Sequence, residues 1–190
     1  RLKPRDFAHI QFDRENYTRL LWFFEGFTSY YDDLLLLRAG LIDAPRYLRL
    51  IAKTIDTVAT TPGREVQSVA QASFDAWTKY YRSDENTPNA TVSYYAKGSL
   101  VALALDLTLR KEGKATLDDV MRLLWQRSRG GPIDEGDIAE ALKRVGARSY
   151  AKELAAWVHG TDELPLSALL EAAGVALTAE KAGYAAALGL

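Results

Sequence analysis

The sequence predicts an all-α fold, a multi-helix bundle. Helical patterning dominates after Asp13, the helical segments are short and separated by glycine- and proline-containing stops, and strand content is low. No repeat with a solenoid period is present.

The opening, Arg1 to Asp13, is extended in character, because Pro4 biases Lys3 away from helix. From about Tyr17 to Ala39 apolar residues fall on adjoining helical rows, and Gly40 is placed to cap that helix at its carboxy end. The pattern admits a turn before Glu25, since Gly26 is a poor interior helix residue. A second helix is expected from Pro45 to about Thr57, preceded by Asp43 or Ala44, with proline suited to the first position. Thr60-Thr61-Pro62-Gly63 reads as a stop. A weaker helical segment covers Ser68 to Tyr80, and Ser83 to Asn89 reads as a polar loop.

The next helix, Ser93 to Arg110, is apolar nearly all round and is expected at the centre of the bundle. Thr116 to Asp119 opens another with a capping-box arrangement, aspartate replacing the usual glutamate. It runs to about Arg127, and Gly130-Gly131-Pro132 breaks the chain. Ile133 to Val145, Ser149 to Val158 and Pro165 to Ala173 read as shorter helices. The tail from Val175 to Leu190 is alanine-rich and weakly patterned, with Val175 to Leu177 read as a short strand.

A chain of 190 residues fits one large domain or two small ones, and 48% hydrophobic residues allow a real core. The formal net charge of −1 gives no sign of a nucleic-acid or polyanion partner. No apolar stretch approaches the ~20 residues of a membrane span, and the longest aliphatic run, Leu34 to Leu37, is core-sized. With no cysteine, disulfides, thiolate nucleophiles and cysteine metal sites are excluded. The first residue is Arg1 and nothing near it resembles a signal peptide, so the natural amino terminus is expected outside this sequence.

One carboxylate draws attention. Glu25 lies in Trp22-Phe23-Phe24-Glu25-Gly26-Phe27-Thr28-Ser29-Tyr30-Tyr31, and a charge among large apolar groups is expensive to bury without a partner. A metal ion is one such partner. A zinc site of the H-E-x-x-H type also needs two histidines on one helix, and the only histidines, His9 and His159, are far apart in sequence. Neither is assigned to a metal. Taken on spacing alone, Glu25 is equally well a solvated or salt-bridged helix glutamate. Gly26 is explained by close helix approach.

Two segments carry a resemblance. Leu21 to Thr28, with Glu25-Gly26-Phe27, resembles the glutamate helix of gluzincin metallopeptidases. Val92 to Leu100, with Tyr95-Ala96-Lys97-Gly98, resembles the Y-x-K-G motif of the same clan. Further stretches are similar to the glycyl aminopeptidases, metallopeptidase family sixty-one: Arg1 to Pro4, Tyr17 to Trp22, Tyr30 to Gly40, Pro62 to Arg64, Gln67 to Val69, Ala72 to Trp77, Asp84 to Asn86, Leu117 to Arg122 and Gly160 to Pro165. Each is modestly specific alone; in this order they are strong together.

The resemblance implies the C-terminal helical part of a thermolysin-like catalytic domain over residues 1–174. The tail, 175–190, would lead toward a PDZ-like module beyond the sequence, and the H-E-x-x-H helix would precede Arg1. It implies Zn2+ as cofactor, Glu25 as third zinc ligand, and Tyr95 as the phenol facing the scissile carbonyl, although the adjacent Tyr94 is the other candidate for the inward position. Lys97 near substrate, and Ser29, Asp32, Asp33, Asp75 or Asp84 behind the ligands, are weaker expectations. The implied activity is hydrolysis of a peptide substrate near its free amino terminus, with small first residues such as glycine preferred. The chain in isolation is expected to be inactive and to bind zinc weakly. It is also expected to self-associate through apolar surface around Phe23, Phe27 and the 93–110 helix. The competing function is a non-catalytic helical scaffold or interaction domain in which Glu25 is only a buried polar residue.

Overall fold

A computed structural model describes residues 2–113 and 115–179. The described residues are overwhelmingly helical. The only sheet among them is a two-residue parallel ladder between β1 (Lys3–Pro4) and β2 (Pro132–Ile133), which ties the start of the chain to its middle. Proline in both strands removes ladder donors, which keeps the pairing short. In the opening only Lys3–Pro4 is strand, and Arg5–Phe7 is already a 3-10 turn.

Helix α1 (Leu21–Arg38) starts at Leu21 rather than Tyr17. Thr18 donates to Asp6 at 2.7 Å and accepts from Leu20 N at 3.3 Å, which anchors the residues just before the helix. The first turn is capped from a distance. Trp22 N donates to Ser73 Oγ at 2.9 Å, and that hydroxyl donates to Val69 O at 2.7 Å. The helix runs unbroken through Gly26, so no turn precedes Glu25. It ends at Gly40, whose φ of 70° is left-handed, with Leu41 N closing onto Leu36 O at 3.0 Å.

Helix α2 (Ala44–Ala59) is capped by Asp43, which accepts from Arg46 N at 2.8 Å. Helix α3 (Val69–Phe74) opens on a Ser68/Gln71 capping box and gives way to a π-helical turn at Ala76–Tyr80. The segment expected as a polar loop ends in one helical turn, α4 (Thr87–Ala90).

Helix α5 (Ala96–Lys111) is buried nearly all round and packs most extensively against α1. α6 (Leu117–Ser128) has the Thr116/Asp119 capping box, and α7 (Glu135–Gly146) an equivalent one at Asp134/Asp137. α8 (Ala151–Leu154) continues into a second π-helical turn at Ala155–His159, and α9 (Leu166–Ala172) follows. Val175 to Leu177 is not a strand, since no partner strand runs beside it among the described residues. Most of the tail expected at 175–190 lies outside the described residues.

The core gathers around α5. Buried Asp106, inside this apolar helix, accepts from Tyr30 Oη at 2.8 Å, Arg110 Nε at 2.7 Å and Leu117 N at 2.7 Å. One carboxylate thereby joins α1, α5 and the start of α6. Three donors on one carboxylate satisfy a buried polar group that would otherwise be costly. Phe23 and Phe27 are only 1% and 2% exposed, and α5 is covered, so the apolar surface expected at these residues is absent. Helices α3, α2 and α9 supply the cover.

Candidate functional site

The two segments singled out by the sequence meet where α1 crosses α5. The crossing is a contact of backbone on backbone. A Cβ on Gly26 would stand 2.6 Å from the Cα and carbonyl carbon of Gly98. One on Gly98 would stand 2.6 Å from the Trp22 carbonyl oxygen and 3.1 Å from the Gly26 Cα. No other residue fits at either position without moving a helix. Glu25 immediately precedes Gly26 and Tyr95 is three residues before Gly98. Each functional candidate is therefore within one helical turn of the crossing.

Tyr95 sits at the N-cap of α5 and is half-buried. Its phenol is pushed up to about 12, first by burial and next by the negative charge of Glu25. The two side chains thus share an electrostatic environment. Tyr94, only 1% exposed, belongs to the core, with its ring 4.7 Å from that of Tyr95 and 5.0 Å from that of Tyr80. Burial first, and then Tyr81, raise its pKa strongly.

Glu25 is half-buried. Among the described residues no hydrogen bond or ion pair engages its carboxylate; only its backbone oxygen is used, accepting from Ser29 Oγ at 3.0 Å. Such a carboxylate suits a cation, and it is a single donor. Among the described residues no three His, Cys, Asp or Glu side chains are grouped to hold a metal. His9 is exposed on a loop, and His159 Nε2 lies 2.6 Å from Glu135 Oε1.

The weaker candidates separate. Lys97, despite its frame, is only 4% exposed, and its ammonium donates to the Arg64 carbonyl at 3.4 Å; burial lowers its pKa. Asp32 is exposed. Asp75 accepts from Gln67 and pairs with Lys79, and Asp84 accepts from Asn86 N and Thr87 Oγ1, so both serve local structure. Ser29 and Asp33 line a groove of about 260 Å³ between α1, α2 and α5, which Tyr95 also lines. Sequence reasoning did not pick out the α2 side of this groove, Tyr47, Ile51 and Thr54, because ordinary amphipathic spacing accounts for all three. It also missed Asp106, although the signal that exposed Glu25, an acid in an apolar helix, is present there too.

Residues 1–101 match the family model described as M61 glycyl aminopeptidase. Among solved structures, an aminopeptidase N family protein from Idiomarina loihiensis is similar, with a TM-score of 0.84 and 42% identity over 90% of this chain. The chain spans 30% of that protein's length. No curated protein gives a match.

Proposed function

The chain belongs to the M61 glycyl aminopeptidase family, and on that premise we propose that it forms the helical part of the catalytic domain of a zinc-dependent aminopeptidase. Glu25 supplies one carboxylate ligand to the metal. The remaining donors and the general base come from outside the described residues. When bound, zinc provides a hydroxide nucleophile near neutral pH by lowering the pKa of its water to about 7.

The observation that carries this reading is the Gly26–Gly98 contact. It brings an unpaired carboxylate and a half-buried phenol within a turn of one crossing point. Tyr95 donates its hydroxyl to the carbonyl oxygen of the peptide as that oxygen gains charge. A donor already in place needs no reorganisation at the moment of reaction. Its raised pKa keeps the proton on the oxygen at neutral pH. Ring contacts with buried Tyr94 and with the more exposed Tyr80 hold the Tyr95 ring.

The test is peptide hydrolysis by the longer protein that contains this chain. Cleavage at the amino end that is lost with chelator, restored with zinc and abolished by Glu25→Gln supports the enzyme. A protein with no peptidase activity and no metal, but an intact fold, supports the helical scaffold instead.

A further inference from the structure

The aromatic surface at the site does not end at Tyr95. The ring of Tyr80 lies 5.9 Å from that of Tyr95, Tyr81 lies 5.4 Å from Tyr80, and Trp77 lies 5.7 Å from Tyr81, centre to centre. Tyr80, Tyr81 and Trp77 are 41%, 59% and 44% exposed. A run of open rings thus leads away from the proposed catalytic phenol. Local backbone geometry produces it. In the π-helical turn Ala76–Tyr80 only Ala76 is buried, and Tyr81 N closes the turn onto Ala76 O at 3.0 Å. Such turns are frequent at functional sites. The Trp77 indole donates to the Asn16 carbonyl at 3.1 Å, which fixes that ring without covering it.

Large apolar side chains gathered on a surface mark an interaction site. Tyrosine and tryptophan suit reversible contact, since each joins a broad apolar face to a polar tip. Continuity with Tyr95 selects the occupant. The phenol serves a peptide only if the peptide reaches it, so a ring in contact with the phenol stands beside the bound peptide. An aminopeptidase has a single residue before the scissile bond, and an extended peptide continues only on the leaving side. With the scissile carbonyl hydrogen-bonded to Tyr95, its carbon lies no more than about 13 Å from the centre of the Tyr80 ring. Three residues of extended peptide advance about 10 Å, and an aromatic side chain adds several ångströms. The second or third residue after the bond therefore brings its side chain to the ledge.

We infer that the ledge of Tyr80, Tyr81 and Trp77 binds the leaving side of the peptide and selects an aromatic side chain two or three residues after the scissile bond. The inference rests on the peptidase reading above. Ring-on-ring contact adds to burial alone, so phenylalanine is favoured over leucine. The contact is made equally before and during reaction, so the preference is carried by KM.

The test uses the longer protein and peptides that share their first two residues and carry Phe, Leu or Ala in turn at the second and third positions after the bond. At one of these positions kcat/KM for phenylalanine exceeds that for leucine roughly three- to tenfold. Tyr81→Ala and Trp77→Ala bring that ratio toward one, and Tyr81→Phe, which keeps the ring, retains it. A ratio near one at both positions in the unmodified protein, as a ledge covered by the rest of the longer protein would give, overturns the inference and leaves the peptidase reading standing. So does a ratio unchanged in both alanine variants. Failure of the unmodified protein to cleave any of the peptides overturns both.

Discussion

A phenol that stabilises an oxyanion must keep its proton, and the surroundings of Tyr95 meet that requirement of the proposed role. Burial and the neighbouring Glu25 charge both disfavour the phenolate, which moves its pKa up to about 12 from an ordinary value near 10. The donor therefore persists through pH 10 and is lost only as pH approaches about 12. Difference absorbance at 295 nm between the intact protein and Tyr95→Phe should show no tyrosinate signal at pH 10; a full signal there would contradict this environment. In the longer enzyme Tyr95→Phe should lower kcat by ~10²–10³ with little change in KM, the signature of a donor used in the transition state. A variant that raised KM alone would reassign Tyr95 to substrate binding. Glu25 and Tyr95 stand out in the sequence because each sits in a short motif. Tyr80 does not, since its link to Tyr95 is made only by the fold.

At the scale of elements, the α1–α5 crossing is the feature most sensitive to change. Gly98→Ala drives a methyl group into the Trp22 carbonyl at 2.6 Å. Backbone cannot yield as a flexible side chain does, and overpacking of this kind costs about 1–3 kcal/mol. Thermal or urea unfolding should show that loss, together with reduced activity, because the crossing positions both functional side chains; an unchanged midpoint would refute the close contact. Ser73→Ala should cost about 1 kcal/mol by uncapping Trp22 N. Gly26 and the Thr116/Asp119 capping box were legible in the sequence, since close approach and local capping leave residue-level marks, whereas the boxes at Ser68/Gln71 and Asp134/Asp137 were not picked out. The Ser73 cap was not, because it joins helices 51 residues apart. The π-helical turns at Ala76–Tyr80 and Ala155–His159 were also hidden, as a single inserted residue scarcely changes helical periodicity.

Across the whole molecule, tyrosines set the alkaline limit. Tyr47 and Tyr95 are raised to about 12, and Tyr30, Tyr31, Tyr94 and Tyr150 are raised further, each with burial as the first cause. Between pH 10 and about 12 the unfolded chain loses tyrosine protons that the folded chain keeps, so stability falls as pH rises through this window. Urea midpoints that stayed constant to pH 12 would contradict it. The all-α class was legible from patterning throughout the chain. The β1–β2 ladder was not, because it consists of two short proline-containing segments 129 residues apart, and only tertiary structure pairs Lys3 with Pro132. Charge balance likewise gave no hint of the Asp106 junction that binds three elements. The isolated chain, with one proposed metal ligand at the site, should bind zinc weakly in a calorimetric titration and hydrolyse no peptide. Tight stoichiometric binding would contradict this and make His9 a candidate ligand.

The most direct measurement of the central claim, that Glu25 is a metal ligand placed beside a catalytic phenol, is the zinc content of the longer protein purified as wild type, Glu25→Gln and Tyr95→Phe. Stoichiometric zinc in the wild type and in Tyr95→Phe, with its loss in a folded Glu25→Gln variant, is the predicted result. Full zinc occupancy in Glu25→Gln would contradict it.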